Sequence, residues 1–145
     1  MLVHEILTSK GNEVFSIKPD NTVYEAIEKM ADKNIGALLV MDQGKLKGII
    51  SERDYRNKVI LKGRRSKTTE VREIMTPGVY CVAPDQSIEQ CMAVMTEKKI
   101  RHLPVMKGDE VVGVISIGDL VKSIISQQKV EINNLKEYIT GTYPG

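Results

Sequence analysis

A serine and an aspartate stand three residues apart at two places in the chain, as Ser51 and Asp54 and as Ser116 and Asp119. Both pairs follow an apolar, strand-like stretch and open a helix-like one, so we expect them at one edge of a sheet. The first turn of a helix favours an anion, and a carboxylate can accept two hydrogen bonds from a vicinal diol. This chemistry suits a ribose phosphate. The alternative is that each pair only caps its helix, as Ser and Asp often do.

The two pairs belong to a longer internal repeat. Pro19-Asp20 recurs 65 residues later as Pro84-Asp85, and Gly48 recurs at the same offset as Gly113, without a gap. A repeat determines the architecture before single residues are interpreted. Two half-units that each leave an apolar face uncovered should pair around a pseudo-two-fold axis and form a cleft where they meet.

Each copy predicts the same element order, β-α-β-β-α, and therefore an α+β fold. The first helix of each copy starts with a capping box and carries one apolar stripe, and a polar turn with Gly joins the strands of a hairpin. The predicted elements of the two copies are a strand at 14–17 and 79–82, a helix starting at Thr22 and Ser87, a hairpin at 37–51 and 102–116, and a second helix starting at Asp54 and Asp119.

The remaining segments predict how the repeats are connected and assembled. The expected boundaries are an N-terminal arm at 1–13, the first repeat at 14–61, a linker at 62–78, the second repeat at 79–126, and a C-terminal helix and tail at 127–145. Apolar residues on that extended helix, Ile132, Leu135 and Ile139, predict a surface that packs against a second subunit. A two-fold homodimer is the commonest closed assembly.

Size, composition and charge exclude several classes of protein. The chain has 145 residues, 4% aromatic residues and a net charge of +2. We therefore expect one domain with an aliphatic core, and the near-balanced charge argues against nucleic-acid binding. No stretch approaches the ~18 apolar residues of a membrane span, and no signal peptide is visible. These features predict a cytoplasmic protein without membrane contact.

Cysteine and histidine give no indication of a metal site or of catalysis. Cys81 and Cys91 fit no metal or redox spacing and are predicted to be buried free thiols. His4 and His102 are far apart in the sequence, so no His/Cys cluster supports a metal site. No Ser-His-Asp or Cys-His set can be assembled. We expect no enzyme activity, no metal and no catalytic cofactor.

Taken together, the repeats resemble a tandem pair of CBS (cystathionine-β-synthase) domains, the Bateman module, over roughly residues 10–126. The resemblance rests on the doubled motif Gly-(Ile/Val)-Ile-Ser-x-x-Asp at 48–54 and 113–119. It also rests on Ile-Arg-His-Leu-Pro-Val at 100–105, whose counterpart in the first copy is 35–40. The chain looks most like small stand-alone CBS-pair proteins, in which no catalytic domain is attached.

The resemblance implies a regulatory sensor that binds an adenosine nucleotide, such as AMP, ADP, ATP or NAD, between the repeats of a homodimer. S-adenosylmethionine is a further ligand of the family, and the regulated protein is unknown. The implied nucleotide-binding residues are Ser51, Asp54, Ser116 and Asp119 for ribose; Ser16, Ile17, Ile35, Gly36, Cys81, Val82 and Ile100 for adenine; and Arg53, Arg101 and His102 for phosphate.

The two copies are unequal at the basic positions. Gly36-Ala37 stands where Arg101-His102 stands in the second copy, and Gly118 stands where Arg53 stands in the first. We therefore expect two different sites, of which one binds a nucleotide better than the other. Two alternatives remain open, a structural dimerisation or adaptor protein with a vestigial cleft, and an enzyme that acts on a nucleotide. His102 also fits a partly buried structural histidine.

Overall fold

The computed structural model describes residues 1–127 as an α+β protein, which confirms the predicted fold class. The helices are α1 (Val3–Lys10), α2 (Val23–Lys33), α3 (Glu52–Tyr55), α4 (Ile88–Lys98) and α5 (Ile117–Gln127). The strands are β1 (Ser16–Ile17), β2 (Ala37–Asp42), β3 (Lys45–Ser51), β4 (His102–Lys107) and β5 (Glu110–Ser116). A π-helical turn, Arg56–Ile60, continues α3, and a 3-10 turn, Val71–Glu73, lies between the repeats. The predicted C-terminal helix beyond residue 127, with Ile132, Leu135 and Ile139, lies outside the described residues.

Local sequence signals place the first helix and the hairpin of each repeat correctly. The hydroxyls of Thr22 and Ser87 accept the N–H groups of Glu25 and Gln90 at 3.1 and 3.2 Å, so both predicted capping boxes are confirmed. Each cap closes one free donor of the first helical turn. Both hairpins are antiparallel and share a register irregularity, between Val40 and Met41 and at the matching point of the second copy.

The first strand of the second repeat is missing, so the prediction of a strand at 79–82 is wrong. In the first repeat β1 runs parallel to β2, and the Leu39 N–H donates to the Phe15 carbonyl at 3.3 Å. The residue that matches Leu39 is Pro104, which has no N–H to donate. Only one parallel bridge remains there, between Val82 and Val105. The chain before Val82 therefore leaves the sheet.

Each second helix starts two residues before the predicted position. Helix α3 begins at Glu52 and α5 at Ile117, so the serine of each Ser-x-x-Asp pair precedes the helix and the aspartate lies in its first turn. The prediction that these helices start at the aspartates is therefore wrong. The reason is that the serine hydroxyl accepts the aspartate N–H, which makes the serine the capping residue.

The segments that precede the two repeats are crossed. Helix α1 packs on the second repeat, where Val3 and Ile6 are buried in its core. Residues 71–76, which we call the linker turn, pack on the first repeat, where Val71 and Ile74 are buried in that core. The backbone contacts match as well, because the N–H groups of Val3 and Val71 donate to the carbonyls of residues 86 and 21. Each repeat therefore depends on a segment that precedes the other one.

The sequence carries a signal for this crossing that the offset of 65 does not reveal. Val-x-Glu-Ile-Leu-Thr at 3–8 recurs as Val-x-Glu-Ile-Met-Thr at 71–76, at an offset of 68. The first copy has three additional residues between this motif and its Pro-Asp pair, because Pro19 follows Thr8 by 11 residues whereas Pro84 follows Thr76 by 8. A gap-free comparison at 65 consequently passes over the match.

The crossed segments approach two glycines of the sheets so closely that no side chain fits there. A Cβ atom on Gly48 would lie 2.8 Å from the Thr76 carbonyl oxygen and 2.9 Å from the Met75 sulfur. A Cβ atom on Gly113 would lie 2.6 Å from a methyl group of Leu7. The first clash involves backbone, whereas a leucine side chain can change its rotamer.

We expect Gly48→Ala to lower the free energy of unfolding by about 1–3 kcal/mol, the usual cost of overpacking. Gly113→Ala should cost less, since only a side chain must move. Gly78→Ala is the control, because nothing lies within 4 Å of its added Cβ. Urea unfolding of the three variants measures the order of their free energies of unfolding. Equal stability of Gly48→Ala and the parent would mean that the linker turn does not pack on β3.

Candidate functional site

Ser51 and Asp54 form a capping box at the start of α3, and Ser116 and Asp119 form another at the start of α5. The Ser51 N–H donates to Asp54 Oδ2 at 2.9 Å, and the Asp54 N–H donates to the Ser51 hydroxyl at 3.3 Å. The corresponding distances in the second repeat are 2.8 and 3.1 Å. The capping interpretation is therefore correct as geometry. It does not exclude ligand binding, because capping uses one oxygen of each carboxylate.

A lysine from the same helix pairs with the first carboxylate. The Lys58 ammonium lies 3.1 Å from Asp54 Oδ1, one helical turn away, and donates to the Ile74 carbonyl at 2.9 Å. Lys58 thus connects the start of α3 to the linker turn. Both oxygens of Asp54 have a partner within the protein.

The second carboxylate is paired with a lysine from α1. The Lys10 ammonium lies 2.6 Å from Asp119 Oδ2 and donates to the Val114 carbonyl at 2.7 Å. Burial alone would raise the pKa of Asp119, but hydrogen bonds from Lys10 and Ser116 outweigh it and lower the pKa below its ordinary value. Asp119 is therefore ionised, and its charge is balanced from a distant part of the chain.

A cleft of about 740 Å³ opens between the repeats beside Asp54. The first repeat contributes the end of β3 and the start of α3, and the second contributes the residues that lead into β4. The segment that follows the linker turn, residues 76–80, forms a further wall. Of the predicted site residues, those that line this cleft are Gly36, Ser51, Arg53, Asp54, Ile100, Arg101 and His102.

The other predicted residues do not line this cleft. Ser16 and Ile17 line a separate cavity of about 420 Å³ near the turn of the first hairpin. The side chain of Val82 is buried in the core of the second repeat. The remaining predicted residues that do not line the cleft are Ile35, Cys81, Ser116 and Asp119.

Only one of the two cysteines is buried. Cys91 lies in the core as predicted, but Cys81 is exposed, so the prediction of a buried thiol there is wrong. The cause is the missing strand, because the chain at Cys81 runs outside the sheet. Within residues 1–127, no group of His, Cys, Asp and Glu side chains could hold a metal ion.

Cations outnumber carboxylates in the walls of the cleft. The Arg53 guanidinium donates to the Lys99 carbonyl at 3.0 Å and so connects the two repeats across the cleft. An excess of positive charge in a cleft attracts an anionic ligand. The cations are Arg53, Arg56, Lys98, Lys99 and Arg101, and the carboxylates are Glu52 and Asp54.

Sequence reasoning missed an aromatic residue in the cleft. Tyr80 is 48% exposed, lines the cleft and lies under the Lys98 ammonium, 5.2 Å from the ring centre. The pair is repeated 65 residues earlier, where Lys33 lies 5.4 Å from the ring centre of Phe15. This repetition was the available signal. A strand at 79–82 would have placed Tyr80 within the sheet rather than in the cleft.

His102 is partly buried next to the first repeat, since a Cβ atom on Gly36 would lie 3.9 Å from its ring. Burial lowers the pKa of His102, the positive charges of Lys10 and Arg101 lower it further, and Asp119 opposes this effect. The side chain is consequently neutral at pH 7, when it can accept or donate a hydrogen bond but adds no charge to the cleft.

The CBS domain family model matches residues 3–60 and 71–126. The chain belongs to the CBS domain family. As a tandem CBS pair it is a regulatory module, and small CBS-pair proteins are generally regulatory rather than catalytic. The matched ranges begin at α1 and at the linker turn, so the family pattern includes both crossed segments.

Relatives and solved structures agree with this assignment. The CBS pair is 38% identical to the mitochondrial CBS domain-containing protein CBSX3 of Arabidopsis thaliana, covering 97% of this chain and 73% of that protein. A protein with CBS domains from Burkholderia ambifaria MC40-6 is 50% identical, with a TM-score of 0.86 over 88% of this chain and 96% of the other.

A third similar protein was solved with adenosine ligands. The CBS domain pair of protein MJ0100, in complex with 5′-methylthioadenosine and S-adenosyl-L-methionine, is 25% identical. Its TM-score is 0.78, over 88% of this chain and 98% of that one.

Among the helices of residues 1–127 in the present CBS pair, none has the length and apolar character that crossing a membrane requires.

We expect the CBS pair to lose stability as the pH falls below about 6.5, the ordinary pKa of histidine. The pKa of His102 is lower in the folded state, so the unfolded chain takes up its proton first and unfolding is favoured. The contribution of His102 to the free energy of unfolding is complete above this pH and is lost as the pH falls through the pKa of His102 in the folded protein. His102→Gln should remove it, and His4→Gln should retain it. Urea unfolding between pH 8 and about 5 measures the effect, and an unchanged profile for His102→Gln would contradict it.

Proposed function

We propose that this CBS pair binds an adenosine nucleotide in the cleft beside Asp54 and senses it within a homodimer. The observation that carries the proposal is the composition of this cleft. It combines a hydroxyl and a carboxylate from one repeat with a surplus of cations from both. Ribose and phosphate require these two kinds of group side by side.

The ribose is assigned to Ser51 and Asp54. Asp54 is held by the Ser51 N–H and by Lys58, so its carboxylate is fixed before a ligand arrives. A fixed carboxylate at the start of a helix suits the two hydroxyls of a ribose. To accept them, Asp54 must share or exchange the hydrogen bond from Lys58, whose side chain is 45% exposed.

The base is assigned to the wall formed by Tyr80 and the backbone of residues 76–80. An exposed aromatic ring offers a face on which a purine can stack, an interaction worth about 1–3 kcal/mol per base. The strand predicted at 79–82 is absent, because Pro104 interrupts the ladder. Among the described residues, the backbone N–H and C=O groups of Gly78 and Tyr80 have no hydrogen-bond partner, so they remain available to an adenine edge.

The phosphate is assigned to Arg53, Arg56 and Arg101. Arginine binds phosphate through a planar set of donors, and Arg53 already connects the two repeats through the Lys99 carbonyl. The positive cleft favours a phosphate-bearing ligand over S-adenosylmethionine, whose sulfonium carries a positive charge. The class that fits best is an adenosine phosphate such as AMP, ADP, ATP or NAD.

Sensing follows from the position of the cleft between two repeats. A ligand that contacts Asp54 on one repeat and Arg101 on the other binds most tightly when the repeats are correctly spaced. It can therefore shift the population towards that spacing. A partner protein that binds one arrangement would then read the nucleotide concentration.

Asp54→Asn should weaken AMP binding by about 1.5–3 kcal/mol, the scale of hydrogen bonds to a charged group. Asparagine keeps one oxygen for the Ser51 N–H, so the helix cap survives while the charge and the second acceptor are lost. Asp42→Asn, at the turn of the first hairpin, is the matched control. Calorimetric titration of AMP, ATP and NAD into the three proteins measures the difference.

Two outcomes would contradict the assignment. Equal affinity of the parent and Asp54→Asn would reduce the carboxylate to a helix cap. A parent that binds none of the three nucleotides would favour the adaptor alternative with a vestigial cleft.

The homodimer is assigned to the face that carries exposed apolar side chains on α5. Val121 and Ile125 lie one helical turn apart and are 46% and 49% exposed, and Ile60 and Leu61 after α3 are 54% and 69% exposed. A contiguous patch of exposed apolar side chains marks an interface. A two-fold arrangement of the same face on two copies would cover them.

Light scattering should give a mass near twice 16.2 kDa for the parent. The double variant Val121→Glu with Ile125→Glu should move the mass towards the monomer, because it places charges on the covered face. Tyr24→Glu, an exposed position on α2, should leave the dimer intact. A monomeric parent at micromolar concentration, with and without AMP, would show that α5 is not an interface.

A further inference from the structure

The pseudo-symmetric position beside Asp119 lacks most of the cations that line the cleft beside Asp54. Only Lys98 has a basic counterpart 65 residues earlier, namely Lys33. The other four cationic positions are replaced by residues without charge. Arg53 is matched by Gly118, Arg56 by Val121, Lys99 by Asn34, and Arg101 by Gly36. Any anion that binds near Asp119 must therefore be met by a cation from elsewhere.

Helix α1 supplies such a cation at its last residue. The Lys10 ammonium donates to Asp119 Oδ2 and to the Val114 carbonyl, at 2.6 and 2.7 Å. An ammonium has three N–H groups, so two acceptors hold it in place and leave one donor. The side chain of Lys10 is 36% exposed, so a ligand can approach it from solvent.

The position of Lys10 in the crossed segment points to the same role. At the offset of 68 that relates α1 to the linker turn, Lys10 matches Gly78. Gly78 lines the cleft beside Asp54. Lys10 therefore stands where the first repeat has a cleft residue, but carries a charged side chain that reaches the carboxylate.

Asp119 also has an oxygen available. Its Oδ2 atom accepts the Ser116 N–H and the Lys10 ammonium, whereas its Oδ1 atom accepts no hydrogen bond from residues 1–127. Asp54 differs, because Lys58 occupies its second oxygen. A ribose hydroxyl can thus approach Asp119 without displacing a lysine.

We propose that Lys10 is a ligand-binding residue of a second nucleotide site, where it contacts the phosphate of a nucleoside monophosphate whose ribose binds Asp119. This rests on the proposed function, from which the ribose chemistry of the Ser-x-x-Asp pair is taken. One fixed ammonium matches a single phosphate better than a polyphosphate. The bound ligand would connect the last turn of α1 to the start of α5.

The test uses Asp54→Asn as the background, in which the first site is weakened. AMP and adenosine are titrated by calorimetry into this protein and into derivatives that also carry Lys10→Met or Lys10→Arg. Lys10→Met should lower the affinity for AMP about tenfold and that for adenosine less than about threefold. Lys10→Arg keeps the charge and should retain most of the AMP affinity.

Lys58→Met in the same background is the matched control. Lys58 has the same chemistry as Lys10, since it pairs with the aspartate of a Ser-x-x-Asp motif and with a backbone carbonyl. It belongs to the other repeat, so its loss should leave the remaining AMP affinity unchanged.

Hydrogen exchange gives a second readout that a merely structural lysine would not move. In the Asp54→Asn protein, AMP should slow exchange of the Gly11 amide, which donates to the Leu7 carbonyl at 2.7 Å and closes the last turn of α1. Adenosine should slow it less. The difference between the two ligands should vanish in Lys10→Met.

Each other outcome overturns the proposal. Equal AMP affinity with and without Lys10 would mean that Lys10 only holds α1 against the second repeat. Tighter AMP binding by Lys10→Met would show that Lys10 blocks access to Asp119. A parent that binds AMP while Asp54→Asn binds none would exclude the second site and leave the proposed function intact. A parent that binds no nucleotide would remove the proposed function itself.

Discussion

Each repeat buries its apolar face against a segment that the chain places before the other repeat. Val3 and Ile6 complete the core of the second repeat, and Val71 and Ile74 complete that of the first. Burial of aliphatic side chains of this size contributes about 1.5–3 kcal/mol each, so neither repeat has a closed core without the crossed segment. The spacing of the two repeats, and with it the cleft, depends on this exchange.

The crossing also explains why two similar repeats carry dissimilar sites. At the end of each crossed segment, one matching position lies near the Ser-x-x-Asp pair of the repeat on which that segment packs. On the first repeat this residue is Gly78, and the cleft stays open to cations from both repeats. On the second repeat it is Lys10, whose ammonium pairs with Asp119. The repeats carry the same carboxylate, Asp54 and Asp119, but the crossed segments that pack beside these two residues differ.

Most features that local sequence determines can be predicted, although the starts of α3 and α5 lie two residues before the predicted ones; features that depend on distant contacts are harder to predict. Capping at Thr22 and Ser87 and the two hairpins follow from residues close together in the chain. The strand at 79–82 failed because its partner position is Pro104, more than twenty residues away. The role of Lys10 could not be predicted, since it meets Asp119 across 109 residues. Within the cleft, Arg53 and Arg101 were predicted as site residues, whereas Tyr80 was missed because an assigned strand concealed it.

The central claim is that the cleft between the crossed repeats holds an adenosine phosphate. Native mass spectrometry of the full chain, as isolated and after mixing with AMP, ATP or NAD, tests it most directly. We predict a bound mass equal to an adenosine nucleotide on the intact protein, and no bound guanosine or cytidine nucleotide under the same conditions. A chain that shows no adenosine adduct at millimolar nucleotide, or that binds all nucleotides alike, would contradict it.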